Sequence, residues 1–125
     1  AHAVEGIHLD LQVDTWPVSI NVAMPAGLVV NELLTNALKH AFDGRDGGTI
    51  TLRCLVDQGG CKVVVADDGV GLAPGGVWPK PGKLGALVVQ SLRQNANARV
   101  AVHSEPGKGM RVTVFFDRAD AVPAP

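Results

Sequence analysis

Polar residues at helical spacing are the first feature of the chain that could do chemistry. Glu32, Asn36 and His40 follow one another at intervals of four residues, with Lys39 beside them, so in a helix they form one stripe. An ordinary solvated helix face is the simpler interpretation. Asn in mid-helix, however, costs roughly 0.5 kcal/mol or more against Ala. A carboxylate, a carboxamide and an ammonium group on one face instead suit a hydrated magnesium ion and phosphate oxygens.

A second polar segment, Asp67–Gly71, has the sequence DDGVG and follows an apolar run. A buried strand would hold Asp67 rigidly at the mouth of a pocket, where its carboxylate can accept a hydrogen bond from an exocyclic amine. Gly69 and Gly71 allow positive φ and a close approach of backbone N–H groups to a ligand. By itself the motif is also typical of a plain Asp-Gly turn.

Periodicity predicts the elements that position these two segments. Apolar residues recur at helical spacing over Pro25–Phe42 and again over Leu84–Asn95, which predicts two amphipathic helices. Alternation and short apolar runs predict strands at Ile7–Val13, Val18–Val22, Thr49–Val56, Cys61–Ala66, 100–102 and 112–116. This order favours a two-layer α/β sandwich, a largely antiparallel sheet with helices on one face.

The two polar segments carry a resemblance to a known family. Asn31–Phe42, with the sequence NELLTNALKHAF, resembles the N box of the ATP-binding domain of sensor histidine kinases, especially those near the HWE group. Asp67–Gly71 is similar to their G1 box, and the similarity covers nearly the whole chain in the right order. The family shares the Bergerat fold with gyrase, chaperone and mismatch-repair ATPases. The resemblance therefore implies an α+β sandwich with a mixed, mostly antiparallel sheet.

The resemblance also implies ligands and residue roles. Asn36 would ligate Mg²⁺, Asp67 would accept the adenine amino group, and Glu32 matches the position of the polarising or general-base residue. The remaining implied contacts to ATP are made by Lys39 and His40 near the phosphates, by Gly69 and Gly71 along the nucleotide, and by Lys83, Leu84, Gly85 and Ala86 in the G2 segment, where backbone N–H groups at a helix start can receive phosphate.

The chain departs from the family pattern at two positions. Lys83 stands where the first glycine of the G2 segment is expected, and Met110 stands where the family usually has a Thr beside the buried Asp. The segment Leu72–Gly82 would be the ATP lid, with Trp78 either covering the nucleotide or capping the edge of the core. These departures leave open a nucleotide sensor or nucleotide-binding pseudokinase, a domain that binds partners and transfers nothing.

The implied function is transfer of the γ-phosphate of Mg-ATP to a histidine on a separate phosphoacceptor domain, with a response regulator as the next partner. An anti-sigma-type serine kinase of the same fold is a further alternative. The chain starts at Ala1 without an initiator Met, so we expect an excised fragment. The usual phosphoacceptor segment has no counterpart before Ile7, so we expect little kinase activity from the fragment alone. We expect a catalytic domain over residues 1–118 and a loose tail over 119–125.

Composition excludes some partners. Lys and Arg number 11 against 12 Asp and Glu, for a net charge of -1, so a broad basic surface for nucleic acid or an anionic membrane is not expected. No apolar stretch approaches the ~20 residues that cross a bilayer, which favours a cytoplasmic protein. Cys54 and Cys61 flank the predicted hairpin turn and are expected to be reduced core thiols. His2, His8 and His103 are expected to be structural.

Overall fold

A five-stranded sheet covered on one face by two helices makes up the part of the chain that the computed structural model describes, residues 6–15, 20–57 and 59–117. The strands run β1-β2-β3-β5-β4 across the sheet. The β1–β2 pair is parallel and the other pairs are antiparallel, so the predicted two-layer fold is confirmed. The elements are β1 (Ile7–Val13), α1 (Ile20–Asn36), a π-helical turn (Ala37–Ala41), β2 (Gly48–Val56), β3 (Gly60–Asp67), α2 (Leu84–Ala96), β4 (Arg99–Glu105) and β5 (Gly109–Asp117).

The core lies between the helices and the two central strands, β3 and β5. Alternate side chains of each strand face the helices, because successive residues of a strand point to opposite faces. The helices pack against these side chains with apolar residues at three- and four-residue spacing. The buried set comprises Val22, Val29 and Leu33 of α1, Val88, Val89, Leu92 and Ala96 of α2, Cys61, Val63 and Val65 of β3, and Val112, Val114 and Phe116 of β5, together with Ala98.

Strand β1 is confirmed as a strand, but its alternating apolar side chains are not buried as that pattern would indicate. Leu9, Leu11 and Val13 are 51%, 59% and 61% exposed. They pair with residues of β2 on the helix-facing side of the sheet. The helices pack over β3 and β5, so this edge strand extends past the layer that would cover it.

The first helix begins earlier than predicted. Residues 20–22 are helical, so the predicted strand Val18–Val22 is wrong where it is described, and residues 18 and 19 lie outside the described residues. Pro25 stands inside the helix and not at its start. Val22 explains the difference: with Ala26 and Val29 it continues the helical series into the core, and this burial outweighs the backbone hydrogen bond that a proline removes.

The end of the first helix changes type. The helix that we predicted to run unbroken to Phe42 becomes a π-helical turn over Ala37–Ala41, a form that occurs mostly as single turns and frequently at functional sites. The second helix, β2 and β3 agree with their predicted limits to within one residue, whereas β4 ends three residues later and β5 begins three residues earlier than predicted. The predicted tail 119–125 and His2 lie outside the described residues.

Candidate functional site

A cavity of about 870 Å³ opens between α1, the Asp67 end of β3, the start of α2 and the lid, a volume typical of small-molecule sites. One wall is apolar, made by core residues of the sheet and helices. The polar members of the wall are Asn31, Glu32, Thr35, Asn36, His40, Asp43, Asp67, Lys80 and Lys83. The two polar segments identified in the sequence therefore face one space.

Asp67 ends β3 with its carboxylate partly buried at the cavity wall. Its Oδ1 accepts a hydrogen bond from the Gly69 N–H at 2.9 Å. Burial raises the pKa of Asp67, while the backbone N–H groups of Gly69 and Met110 oppose that rise. Met110 thus supplies a main-chain donor to the carboxylate, although its side chain carries no hydroxyl. The result is a carboxylate held in place with acceptor capacity toward the cavity.

The loop after Asp67 is fixed to its surroundings through the backbone. The Val70 N–H donates to the Ala41 carbonyl of the π-helical turn at 2.7 Å. A Cβ on Gly69 would overlap that same carbonyl, and Gly71, at φ 71°, packs against the β4–β5 turn. Gly71 lines the cavity, whereas Gly69 lies outside its described wall. The need for glycine at both positions is thus explained by close packing of the loop.

The polar stripe of α1 continues through the π-helical turn. Glu32, Asn36 and His40 all line the cavity. Lys39 is exposed and lies outside the described cavity wall. Among the described residues, no three His, Cys, Asp or Glu side chains lie close enough to hold a metal on their own. A lone carboxamide oxygen such as that of Asn36 fits a magnesium ion that takes its other ligands from phosphates and water.

The start of α2 faces Glu32. A Cβ on Gly85 would overlap the Glu32 carboxylate, so the glycine leaves room for that side chain against the helix. Lys83 is the N-cap residue, it makes no side-chain capping bond, and the first turn carries no acidic residue. The carboxylate of Glu32 therefore lies near the positive end of the α2 dipole. Lys83 and Leu84 line the cavity, and Gly85 and Ala86 lie outside its described wall.

The lid contributes Trp78, whose ring packs against the core and also lines the cavity. Trp78 therefore caps the edge of the core, and its covering of a nucleotide stays a prediction. The indole Nε1 is buried and has no hydrogen-bond partner among the described residues. A buried donor without an acceptor is costly.

Sequence reasoning missed three residues at or beside the cavity. Asp43 and Lys80 line it, and Arg45 binds two backbone carbonyls next to it. Lys80 stands between two prolines of the lid, which is a pattern that marks a loop and says nothing about where the side chain lies.

Comparison with known proteins agrees with this geometry. Residues 21–120 match the family described as histidine kinase-, DNA gyrase B- and HSP90-like ATPases. The chain belongs to this family. Within this ATPase family its relatives are histidine kinase ATPase domains, which supports a protein histidine kinase catalytic domain, and the family implies ATP binding. None of the described helices is long and apolar enough to span a membrane.

The chain matches only part of the length of its relatives. It is 39% identical over 109 residues to blue-light-activated histidine kinase 2 of Erythrobacter litoralis, covering 86% of this chain and 31% of that protein. The histidine kinase domain of the Erythrobacter litoralis EL346 blue-light activated kinase superposes with a TM-score of 0.83 at 37% identity, over 92% of this chain and 53% of that one. A shorter match, 43% identical over 42 residues, covers 34% of this chain and 27% of the serine-protein kinase RsbW of Listeria monocytogenes.

Proposed function

We propose that the chain binds Mg-ATP in the 870 Å³ cavity and presents its γ-phosphate to a histidine on a separate phosphoacceptor domain. The observation that carries the proposal is that one cavity joins the Asp67 carboxylate to the stripe of Glu32, Asn36 and His40. An adenine acceptor at one side and phosphate and metal ligands at the other match the two ends of one nucleotide.

At the adenine end, the Asp67 carboxylate accepts a hydrogen bond from the exocyclic amine. Its carboxylate is already oriented by the Gly69 N–H, so little further ordering is needed on binding. The apolar part of the wall suits a flat purine ring, because most of the surface of a bound small molecule is buried against apolar side chains. That part includes Leu33, Val65, Val88, Met110 and Val112.

At the phosphate end, Asn36 would offer its carboxamide oxygen to Mg²⁺, which would supply positive charge to the phosphates. His40, with Lys39 beside it, and Lys80 and Lys83 from the lid side add hydrogen-bond donors and positive charge near the same place. The first backbone N–H groups of α2, at Leu84 and Gly85, precede the helical hydrogen-bond series and can receive phosphate oxygens. The Ala86 N–H donates to the Lys83 carbonyl at 3.1 Å, so phosphate would have to share or replace that bond. Positioning and charge neutralisation are the main contributions to phosphoryl transfer.

Glu32 is proposed to act on the acceptor histidine. A carboxylate that accepts the acceptor's N–H hydrogen bond favours the tautomer whose other ring nitrogen attacks the γ-phosphorus. The bond from that phosphorus to the bridging oxygen breaks as the new bond forms, and ADP leaves. Apolar side chains that include Ile20, Met24, Leu28, Leu84 and Leu87 are exposed on α1 and α2 and suit contact with a partner domain. A response regulator as the next partner and a cytoplasmic location are part of this proposal.

Fluorescence titration tests nucleotide binding. The chain has 2 tryptophans, so in a Trp16→Phe variant the emission comes from Trp78 at the cavity wall. We expect a saturating change in emission as Mg-ADP is added. No saturation at millimolar Mg-ADP, checked by calorimetry, would contradict the proposal.

Asn36→Ala separates a metal ligand from a structural residue. By helix propensity the change stabilises the nucleotide-free fold by roughly 0.5 kcal/mol, so its melting temperature should stay the same or rise. Stabilisation by Mg-ATP, about 2.7 kcal/mol at a hundred times Kd, should largely disappear. A lower melting temperature without nucleotide together with an intact Mg-ATP shift would identify Asn36 as a structural hydrogen-bonder.

A serine kinase is the second candidate, and the short match to RsbW favours it. Acid treatment of the phosphorylated product distinguishes the two, because phosphohistidine is acid-labile and phosphoserine is not. Glu32→Gln should lower transfer and leave Mg-ADP affinity close to that of the wild type. Parallel loss of transfer and affinity would mean that Glu32 serves the metal or the fold.

A further inference from the structure

Arg45 joins two backbone segments that lie beside the cavity. It follows the π-helical turn in the loop before β2 and is exposed. Its Nη1 donates to the Asp68 carbonyl at 2.9 Å, and its Nη2 donates to the Gly107 carbonyl at 2.7 Å. Hydrogen bonds from a guanidinium are stronger than those between neutral groups. One side chain therefore holds the loop after β3 and the β4–β5 turn at a fixed separation.

The Asp68 carbonyl belongs to the same peptide group as the Gly69 N–H. That N–H donates to the Asp67 Oδ1 at 2.9 Å. The hydrogen bonds therefore run in a chain from Arg45 through the Asp68–Gly69 peptide to the Asp67 carboxylate. In such a chain each bond polarises the next, so the guanidinium strengthens and orients the donor that fixes the carboxylate.

The hydrogen bond from Arg45 to Gly107 bears on the other donor to Asp67, the Met110 N–H. Gly107 lies in the turn that leads into β5, and its N–H donates to the Val70 carbonyl at 2.7 Å. Met110, whose N–H faces the Asp67 carboxylate, follows that turn on β5. By binding the Gly107 carbonyl as well as the Asp68 carbonyl, Arg45 links the turn that precedes Met110 to the loop that contains Gly69.

We propose that Arg45 is a positioning residue for base recognition, which sets the orientation and the negative charge of the Asp67 carboxylate toward the exocyclic amine of the nucleotide. The proposal rests on the proposed function. The electrostatics agree with it, because Arg45 lowers the pKa of Asp67, against the larger effect of burial and that of Asp68, which both raise it. Arg45 thus favours the charged, acceptor-only form of the carboxylate.

Binding of Mg-ADP and of Mg-tripolyphosphate to the 125-residue chain tests the proposal. Arg45→Met should weaken Mg-ADP roughly tenfold and leave Mg-tripolyphosphate unchanged, because the latter has no base. Arg45→Lys, which keeps the charge and can reach one carbonyl, should recover part of the loss, and it carries the test if Arg45→Met does not fold. Arg53→Met is the matched control, because Arg53 also bridges two segments, through Asp10, away from the cavity.

A double variant adds a readout that a purely structural role would not move. In an Asp67→Asn background, Arg45→Met should cause little further loss of Mg-ADP affinity, since the two changes act through one carboxylate. Additive losses of Mg-ADP affinity in the double variant would overturn this inference and leave the proposed function standing. The same holds if Arg45→Met weakens both ligands equally or leaves Mg-ADP affinity unchanged. A wild-type chain that binds no Mg-ADP would overturn the proposed function, and this inference with it.

Discussion

Each end of β3 carries an ionisable group that is partly or fully buried, and the surroundings of the two groups differ. At one end Asp67 lies at the cavity wall with two backbone N–H groups directed at its carboxylate. At the other end Cys61 is fully buried in the core, and its Sγ lies 3.7 Å from the Sγ of Cys54 on β2. Burial is the largest influence on the pKa of both groups and raises it in both.

The difference lies in what accompanies the burial. The pKa of Cys61 rises to about 12, first through burial and then through the neighbouring Cys54, Asp14 and Asp57. For Asp67, hydrogen bonds to the charged form oppose the burial. An ionisable group that is buried beside a cavity and stabilised in its charged form suits a ligand. A thiol that is buried without such donors acts as a small apolar side chain.

Thiol labelling gives the largest expected contrast. With a pKa of about 12, Cys61 carries so little thiolate near pH 8 that alkylation should be slowed by roughly a thousandfold or more relative to an ordinary cysteine. Cys54, which is partly exposed, should react faster. Mass spectrometry of iodoacetamide adducts, with and without denaturant, measures both rates. Rapid labelling of Cys61 in the folded chain would remove the distinction between the two ends of β3.

Substitution at each end comes next in size. Asp67→Asn should weaken Mg-ADP by about 1–3 kcal/mol, because a carboxamide offers one acceptor and adds a donor. Cys61→Ala should leave Mg-ADP affinity unchanged and lower the free energy of unfolding by about 0.5–3 kcal/mol. Calorimetric titration and denaturant unfolding of both variants provide the comparison. Equal Mg-ADP affinity in Asp67→Asn would move the adenine site elsewhere.

The sequence was a good guide where side-chain type and spacing carry the information. The stripe of Glu32, Asn36 and His40 does face one cavity, because a helical repeat fixes which side chains share a face. The strand prediction at residues 20–22 failed because alternation and helical periodicity overlap around Val22 over so short a stretch. Tertiary packing decided that case.

Arg45 and the π-helical turn show where sequence reasoning ends. Arg45 binds backbone carbonyls, which every residue possesses, so no residue pattern marks its partners. The π-helical turn at Ala37–Ala41 uses residues that would equally continue an α-helix. Both features depend on contacts between segments that are distant in the chain, such as the bond from Val70 to Ala41.

Alanine at two helical glycines gives a smaller contrast at the cavity. A Cβ on Gly27 of α1 meets nothing within 4 Å, whereas one on Gly85 of α2 meets the Glu32 carboxylate. Gly27→Ala should raise stability by up to about 1 kcal/mol through helix propensity and leave phosphotransfer unchanged. Gly85→Ala should fold, because the end of a Glu side chain can swing aside, yet transfer to a phosphoacceptor domain supplied in trans should fall. Unchanged transfer in Gly85→Ala would mean that transfer does not depend on the position of the Glu32 carboxylate, which contradicts its proposed role.

The pH dependence of stability gives the smallest expected effect. The pKa of Asp67 is raised above 3.8, mainly by burial. A carboxyl with a higher pKa in the folded chain stabilises the fold when protonated, so this contribution is present below pH 3.8 and is lost as the pH rises through the raised pKa. Asp67→Asn does not titrate, so its melting temperature without nucleotide should rise relative to the wild type from acidic to neutral pH.

Asp10→Asn is the matched control, with the opposite sign. The hydrogen bond from Arg53 lowers the pKa of Asp10 below 3.8, so its contribution to stability is present above pH 3.8 and is lost as the pH falls through the lowered pKa. Asp10→Asn should therefore lose melting temperature relative to the wild type as the pH rises. Thermal melts of the three proteins at a series of pH values test both signs. A melting-temperature difference between Asp67→Asn and the wild type that stays constant or shrinks toward neutral pH would mean that the carboxylate is well solvated in the free cavity. The cost of burying Asp67 could then not be what distinguishes this end of β3.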